Sequence, residues 1–149
     1  MAIHEKNFWA RVDKAAPNEC WLWRKWCDPK TGYGRFRNKC THRLAFEFTY
    51  GDIPAGWEID HTCFVRSCCN PRHLRMVTGK QNKENRKGAH GVSGIRGVRQ
   101  VGNRWRACVV HNRKYIHIGY FSTPEEADEA ATLKRLELFT HSDMDRRAV

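Results

Sequence analysis

Hydrophobic and polar positions change rhythm several times along the chain. EKNFWARVDK sets Phe8 and Val12 at helical spacing, and Pro17 ends the run. The next stretch, ECWLWRKWCDPKTGYGRF, is aromatic-rich and interrupted by Asp28-Pro29 and Thr31-Gly32, which predicts a two-stranded hairpin. THRLAFEFTY predicts a short helix closed by Gly51, where a left-handed residue is wanted. WEIDH predicts a strand that runs into the loop DHTCFVRSCCNPRHL. Thr78 with Gln81 forms a capping box, so a helix should begin there and carry Asn82 and Asn85.

The second half has a different rhythm. Gly88 to Gly94 is a small-residue stretch that reads as a linker. IRGVRQ, RWRACVV and YIHIGYF are three strand-like runs separated by Gly102-Asn103 and Asn112-Arg113. A capping box at Ser122 and Glu125 predicts a helix with Ala127, Ala130, Ala131, Lys134 and Leu138 on one face. The last residues, HSDMDRRAV, read as frayed.

Charge and cysteine usage narrow the classes of function. The chain has 149 residues and a formal net charge of +11. Arg75 to Lys114 holds eleven basic residues and a single acid, Glu84, so most of that excess sits in one block. Trp105, Tyr115 and several glycines are interleaved with the charge, which favours nucleic acid over a merely solvated face. No stretch approaches the roughly 18 apolar residues of a membrane span. The N-terminal residues lack a basic segment followed by an apolar run, so no signal peptide is expected. The expected location is the cytoplasm, not a membrane or a secreted compartment. There, seven cysteines suggest metal ligands before disulfides.

Cys63 and Cys68 have four residues between them, and His73 lies five beyond Cys68. Such spacing lets one loop wrap a tetrahedral zinc ion with thiolate and imidazole ligands. The fourth ligand must come from elsewhere. Cys20 is the first choice, with Cys40, Cys27 and Cys69 as rivals. His61 follows Asp60 at the end of the predicted strand and falls outside this set. A histidine beside a carboxylate there is placed to act as a general base.

Asp60-His61, then Asn70-Pro71, then the helix bearing Asn82 resemble the HNH motif of ββα-metal nucleases. The closer likeness is to phage HNH and His-Cys box homing endonucleases. Their pattern is met by His61, Cys63, Cys68 and Asn70-Pro71-Arg72-His73, and FWARVDK, CWLW, GYGRF and HRLAFE are similar to their N-terminal half. The likeness spans roughly residues 7–88. It implies a structural zinc on Cys20, Cys63, Cys68 and His73, with His61 taking a proton from the attacking water. It also implies one catalytic divalent ion, magnesium with manganese as the alternative, on Asn82 together with Asp60. Asn70 would fix the loop that carries His61, and Arg43 would contact the scissile phosphate. His-Cys box enzymes lack the acid at position 60, so its role is left open.

SGIRGVRQ, NRWRACV, HIGYF and STPEEADEAA resemble, in order and spacing, the Apetala/ethylene-response-factor (ERF) DNA-binding domain. That resemblance implies a sheet entering the major groove, with Arg96, Arg99, Arg104, Trp105, Arg106 and Lys114 as contacts. The expected fold class is α+β: a zinc-stabilised ββα-metal nuclease domain over 1–87, a linker over 88–93 and a three-stranded antiparallel sheet plus helix over 94–141. A disordered tail is expected over 142–149. The expected function is an endonuclease cutting double-stranded DNA by a single-metal mechanism and targeted by the second module. The alternative is a non-catalytic DNA-binding regulator on a degenerate nuclease scaffold. Monomer and homodimer are both compatible with the sequence.

Overall fold

The computed structural model describes residues 3–86, 88 and 93–148. The chain has a mixed α+β fold of small sheets and helices, divided into two compact units, Met1–Asn82 and Lys83–Val149. The expected linker over 88–93 lies mostly outside the described residues. No helix among the described residues is long and apolar enough to cross a membrane.

The first unit begins with α1 (Ile3–Trp9), followed by the antiparallel pair β1 (Val12–Asp13) and β2 (Leu22–Trp23). Phe8 is fully buried and stacks on Trp23 at 5.4 Å, with Phe36 and Phe48 meeting its ring edge-on. This aromatic knot is the centre of the core and decides the pairing around it. The segment expected as one hairpin instead splits. β2 pairs back on β1, Cys27 and Gly34 form an isolated bridge, and β3 (Arg35–Phe36) pairs with β4 (Lys39–Cys40). Two local causes are visible. Asp28 Oδ1 accepts from the backbone N–H groups of Lys30 and Thr31, which folds that stretch into a tight turn. Gly34 also passes so close to the packed side chains that a Cβ there would lie 2.5 Å from Thr41 Oγ1 and 2.8 Å from Trp23.

α2 (Thr41–Tyr50) buries Thr41, His42, Leu44 and Ala45. Gly51 closes it with a positive φ of 95°, and its N–H donates to the Glu47 carbonyl. β5 (Trp57–His61) and β6 (Leu74–Thr78) then form an antiparallel hairpin that sets Asp60 opposite Arg75 and His61 opposite Leu74. Thr78 and Gln81 bond reciprocally at the start of α3 (Gly79–Glu84). Asn82 rides on this helix, whereas Asn85 lies just past its end.

The second unit is built on longer strands. β7 (Val98–Val101), β8 (Arg104–His111) and β9 (Lys114–Phe121) form one antiparallel sheet in sequence order, with a bulge at Ala107/Cys108. Gly97 has φ +82°, and a Cβ on it would sit 2.4 Å from the Cys108 carbonyl oxygen, so only glycine fits. α4 (Pro124–Leu138) packs on the sheet. Its capping box is Thr123 with Glu126, one residue later than Ser122 with Glu125. The cause is Pro124, which occupies the first helical position and so makes Thr123 the cap. The buried stripe is Ala127, Ala131 and Arg135, four residues apart, rather than the alanine, lysine and leucine face read from the sequence.

The expected disordered tail is instead largely helical. α5 (Asp143–Ala148) carries Asp145, whose two carboxylate oxygens accept from Arg135 at 2.8–3.1 Å. A buried guanidinium needs such partners. The tail supplies one, and Arg135 donates another hydrogen bond to the Arg96 carbonyl at 2.8 Å.

Candidate metal centre and catalytic cluster

The chain leaves β5 at His61, turns through Phe64 at a positive φ of 60°, and returns to β2 through the Leu22–Cys68 bridge. This path brings together Cys20, Cys63, Cys68 and His73, whose ligand atoms all lie within 4.8 Å of one another. The Sγ atoms of Cys20 and Cys68 are each 3.6 Å from His73 Nδ1. Zinc bonds of about 2.3 Å to sulfur and 2.0 Å to nitrogen would place tetrahedral S and N ligands about 3.5 Å apart, so the donor set fits that ion. His73 Nε2 donates to the Asn18 carbonyl at 3.2 Å, which leaves Nδ1 as the ligand nitrogen. A hydrogen bond from the Cys68 thiol pulls the Cys63 thiol down to about 5, and the same bond pushes Cys68 up. The downward shift of Cys63 is the direction a metal ligand needs. Cys40 is engaged elsewhere, accepting from Arg35 at 3.2 Å.

Asn70 is fully buried and ties this group together. Its Oδ1 accepts from the Arg72 N–H, capping the 3-10 turn Pro71–His73, and its Nδ2 donates to the carbonyls of Pro17 and Glu19. The side chain expected to fix the His61 loop is bonded to the turn at Pro71–His73 and to the segment that bears Cys20.

His61 is buried, and its Nε2 donates to the Cys68 carbonyl at 3.1 Å. That bond sets the tautomer and leaves the lone pair on Nδ1. Among the described residues no hydrogen bond is made by Nδ1. The His61 ring lies 4.8 Å from His42 and 6.0 Å from Tyr33, so it sits in an aromatic cluster. Burial lowers the pKa of His61, and burial together with the His61 ring brings His42 down to about 3. Both imidazoles are neutral near pH 7, the state a general base requires.

Asp60 Oδ2 accepts from Arg75 Nε and its terminal nitrogen at 3.1 and 2.9 Å. Asn82 Nδ2 donates to Glu58 Oε2 at 2.6 Å. Arg43, in the first turn of α2, reaches the Trp57 carbonyl at 3.4 Å and so lies beside the start of β5. His42 and Glu58 were missed by sequence reasoning. The period of two along WEIDH could have paired Glu58 with Asp60, whereas only packing reveals His42.

In the second unit, alternation along β8 divides the expected contacts. Arg104 and Arg106 fall on the sheet face away from α4, with Arg99 opposite Arg106. Their guanidinium groups lie over Tyr120 and Tyr115 at 5.9 and 5.7 Å. His117 joins that face beside Tyr120. Trp105 falls on the opposite face and packs against the Val98, Ala107, Ala127 and Ala131 core. Arg96 precedes β7 and donates to the carbonyls of Lys83, Glu84 and Arg86 while covering Phe139, so its guanidinium is spent within the fold. Lys114 opens β9 and is exposed.

Residues 39–84 match the family model described as HNH endonuclease. The uncharacterized gene 5.3 protein of Enterobacteria phage T3 is 50% identical over 36 residues, 24% of this chain and 36% of that protein. Protein 2.8 of Escherichia phage T7 is 31% identical over 70 residues, 46% of this chain and 50% of that protein. The chain therefore spans half or less of the length of these curated relatives. No solved structure matches it. The family match falls on the segment holding Arg43, Asp60, His61, Cys63, Cys68, Asn70, His73 and Asn82, and it suggests a nuclease, a hydrolase acting on DNA with metal ions.

Proposed function

We propose that the chain is an endonuclease that hydrolyses phosphodiester bonds of double-stranded DNA through His61. The observation that carries this reading is the His61–Cys68 hydrogen bond. It puts the proton of the neutral imidazole on Nε2 and leaves Nδ1 available, inside the segment that matches the HNH endonuclease family. The β5–β6 hairpin followed by α3 supports a ββα arrangement around it.

In this mechanism His61 Nδ1 takes the proton from the attacking water, help typically worth about 10²–10⁴ in rate. Asn82 and Asp60 would hold the divalent ion, magnesium or manganese. When bound, that ion supplies charge stabilisation for the phosphoryl oxygens and the leaving 3′ oxygen. Arg75 orients the Asp60 carboxylate, and Arg43 approaches the scissile phosphate from α2. Cys20, Cys63, Cys68 and His73 would hold a structural zinc, whose role would be to brace the loop rather than to take part in the step.

The second unit brings the nuclease to DNA. Its sheet presents Arg99, Arg104 and Arg106 on one exposed face. This supports the ERF-type likeness for those three, with Lys114 as a further phosphate contact. Trp105 acts in packing rather than in reading bases.

The test is incubation of supercoiled plasmid with zinc-loaded protein and magnesium, comparing wild type with His61→Ala. Wild type should nick or linearise the plasmid, and His61→Ala should be at least a hundredfold slower with its zinc content unchanged. Plasmid shifted in a gel by wild type but never broken would make the chain a DNA-binding regulator instead.

A further inference from the structure

The geometry points to Glu58 as a positioning residue for the catalytic cation, an inference that rests on the Asn82 site proposed above. An asparagine amide has two ends: the nitrogen repels a cation, whereas the oxygen binds one. Which end faces an ion depends on the partner that holds the other. A carboxylate only accepts hydrogen bonds, so the 2.6 Å contact with Glu58 Oε2 must be made by Asn82 Nδ2. Oδ1 is the end left for a hard divalent ion, which takes oxygen ligands.

Three further features seat Glu58 for this task. It lies two residues before Asp60 on β5, so the strand period puts both side chains on one side. Its neighbour Trp57 pairs with Thr78, the residue that caps α3, which brings this end of the strand to the helix start. A Cβ on Gly79 would lie 3.1 Å from Glu58 Oε1, so the first turn of α3 rests against the carboxylate and leaves no slack for a side chain. One oxygen therefore sits over Gly79 while the other holds Asn82. Glu58 acts through Asn82, without being a ligand itself.

The test uses the full-length, zinc-loaded chain and Mn²⁺ as the probe, with free Mn²⁺ followed by electron paramagnetic resonance. DNA cleavage plays no part in this readout. Glu58→Ala should weaken Mn²⁺ binding about 10- to 100-fold, as loss of a partner that orients a ligand does. Glu58→Gln keeps an acceptor for Nδ2 and should weaken it far less. Equal losses in both variants would make Glu58 a direct ligand and overturn the positioning role. Wild-type affinity in Glu58→Ala, with Asn82→Ala weakened, would remove Glu58 from the site and leave the site standing. Wild-type affinity in Asn82→Ala would remove the cation site itself, and this inference with it.

Discussion

The two units reach order by different means. In the first, β1 to β4 are two residues each, too short for a ladder of hydrogen bonds to hold them. Its buried set includes Thr41, His42, Asp60, His61 and Asn70, polar groups that cost free energy unless partnered. Its loops are stitched by Asn70 and converge at the Cys20, Cys63, Cys68 and His73 group, and the Asp60–Arg75 pair ties the β5–β6 hairpin. In the second, β8 and β9 are eight residues each, and a fifteen-residue capped helix lies on them through alanines. The unit proposed to carry the chemistry leans on side-chain clamps; the unit proposed to carry the DNA grip leans on regular structure.

The largest effect should come from taking away the proposed zinc. Structural zinc in small domains contributes on the order of 10 kcal/mol at neutral pH. Chelation, or Cys68→Ser, should therefore unfold the first unit while the second stays folded. Amide NMR signals for residues 98–121 should persist as those for 12–78 collapse. Survival of both sets after complete zinc removal would erase the contrast.

The reciprocal break is Asp145→Ala. It leaves the Arg135 guanidinium, 3% exposed, with Asp128 at 3.8 Å as its remaining carboxylate, a loss of up to about 3–5 kcal/mol. Urea unfolding followed by NMR should show the second unit melting earlier, with zinc content and the first unit's midpoint unchanged. If the pair is only a locking device, Arg135→Met with Asp145→Leu should recover most of the loss. A single mutant as stable as wild type would show that the tail helix contributes nothing.

Legibility followed the same divide. The three strands and the helix of the second unit could be read from Gly102-Asn103, Asn112-Arg113 and the STPEE cap, because there local propensity and tertiary structure agree. What failed was long-range. Arg135 on the buried face and Asp145 in an apparent tail each look like surface residues until paired with each other. In the first unit β5, α2 and the start of α3 were visible, but β6 and the pairing of the aromatic segment were not. The stacking of Phe8 on Trp23 overrides the hairpin pattern. At the site, cysteine spacing pointed to three local ligands and left Cys20 a first choice among rivals, since its approach depends on long-range pairing: the Leu22–Cys68 bridge and the buried Asn70 clamp. Alternation along β8 could have separated Trp105 from the arginines, but the resemblance pooled them as contacts.

The smallest effect concerns pH and again separates the units. His42, in the first, has its pKa lowered from 6.5 to about 3 by burial and by the neighbouring His61 ring. The unfolded chain binds a proton below 6.5 that the folded state refuses. Stability from this residue is therefore full above pH 6.5 and is lost as pH falls toward 3. Between pH 6.5 and 5 one such proton costs about 2 kcal/mol. His42→Phe, of similar ring size, removes the titration and should flatten the first unit's loss of stability over that window. The comparison must be made variant against wild type, because protonation of the cysteine and histidine ligands acts in the same direction in both. The second unit in the same tube is the internal reference, and its midpoint should not respond to the substitution. A first-unit profile identical in both proteins would mean that His42 takes up its proton without opening the core.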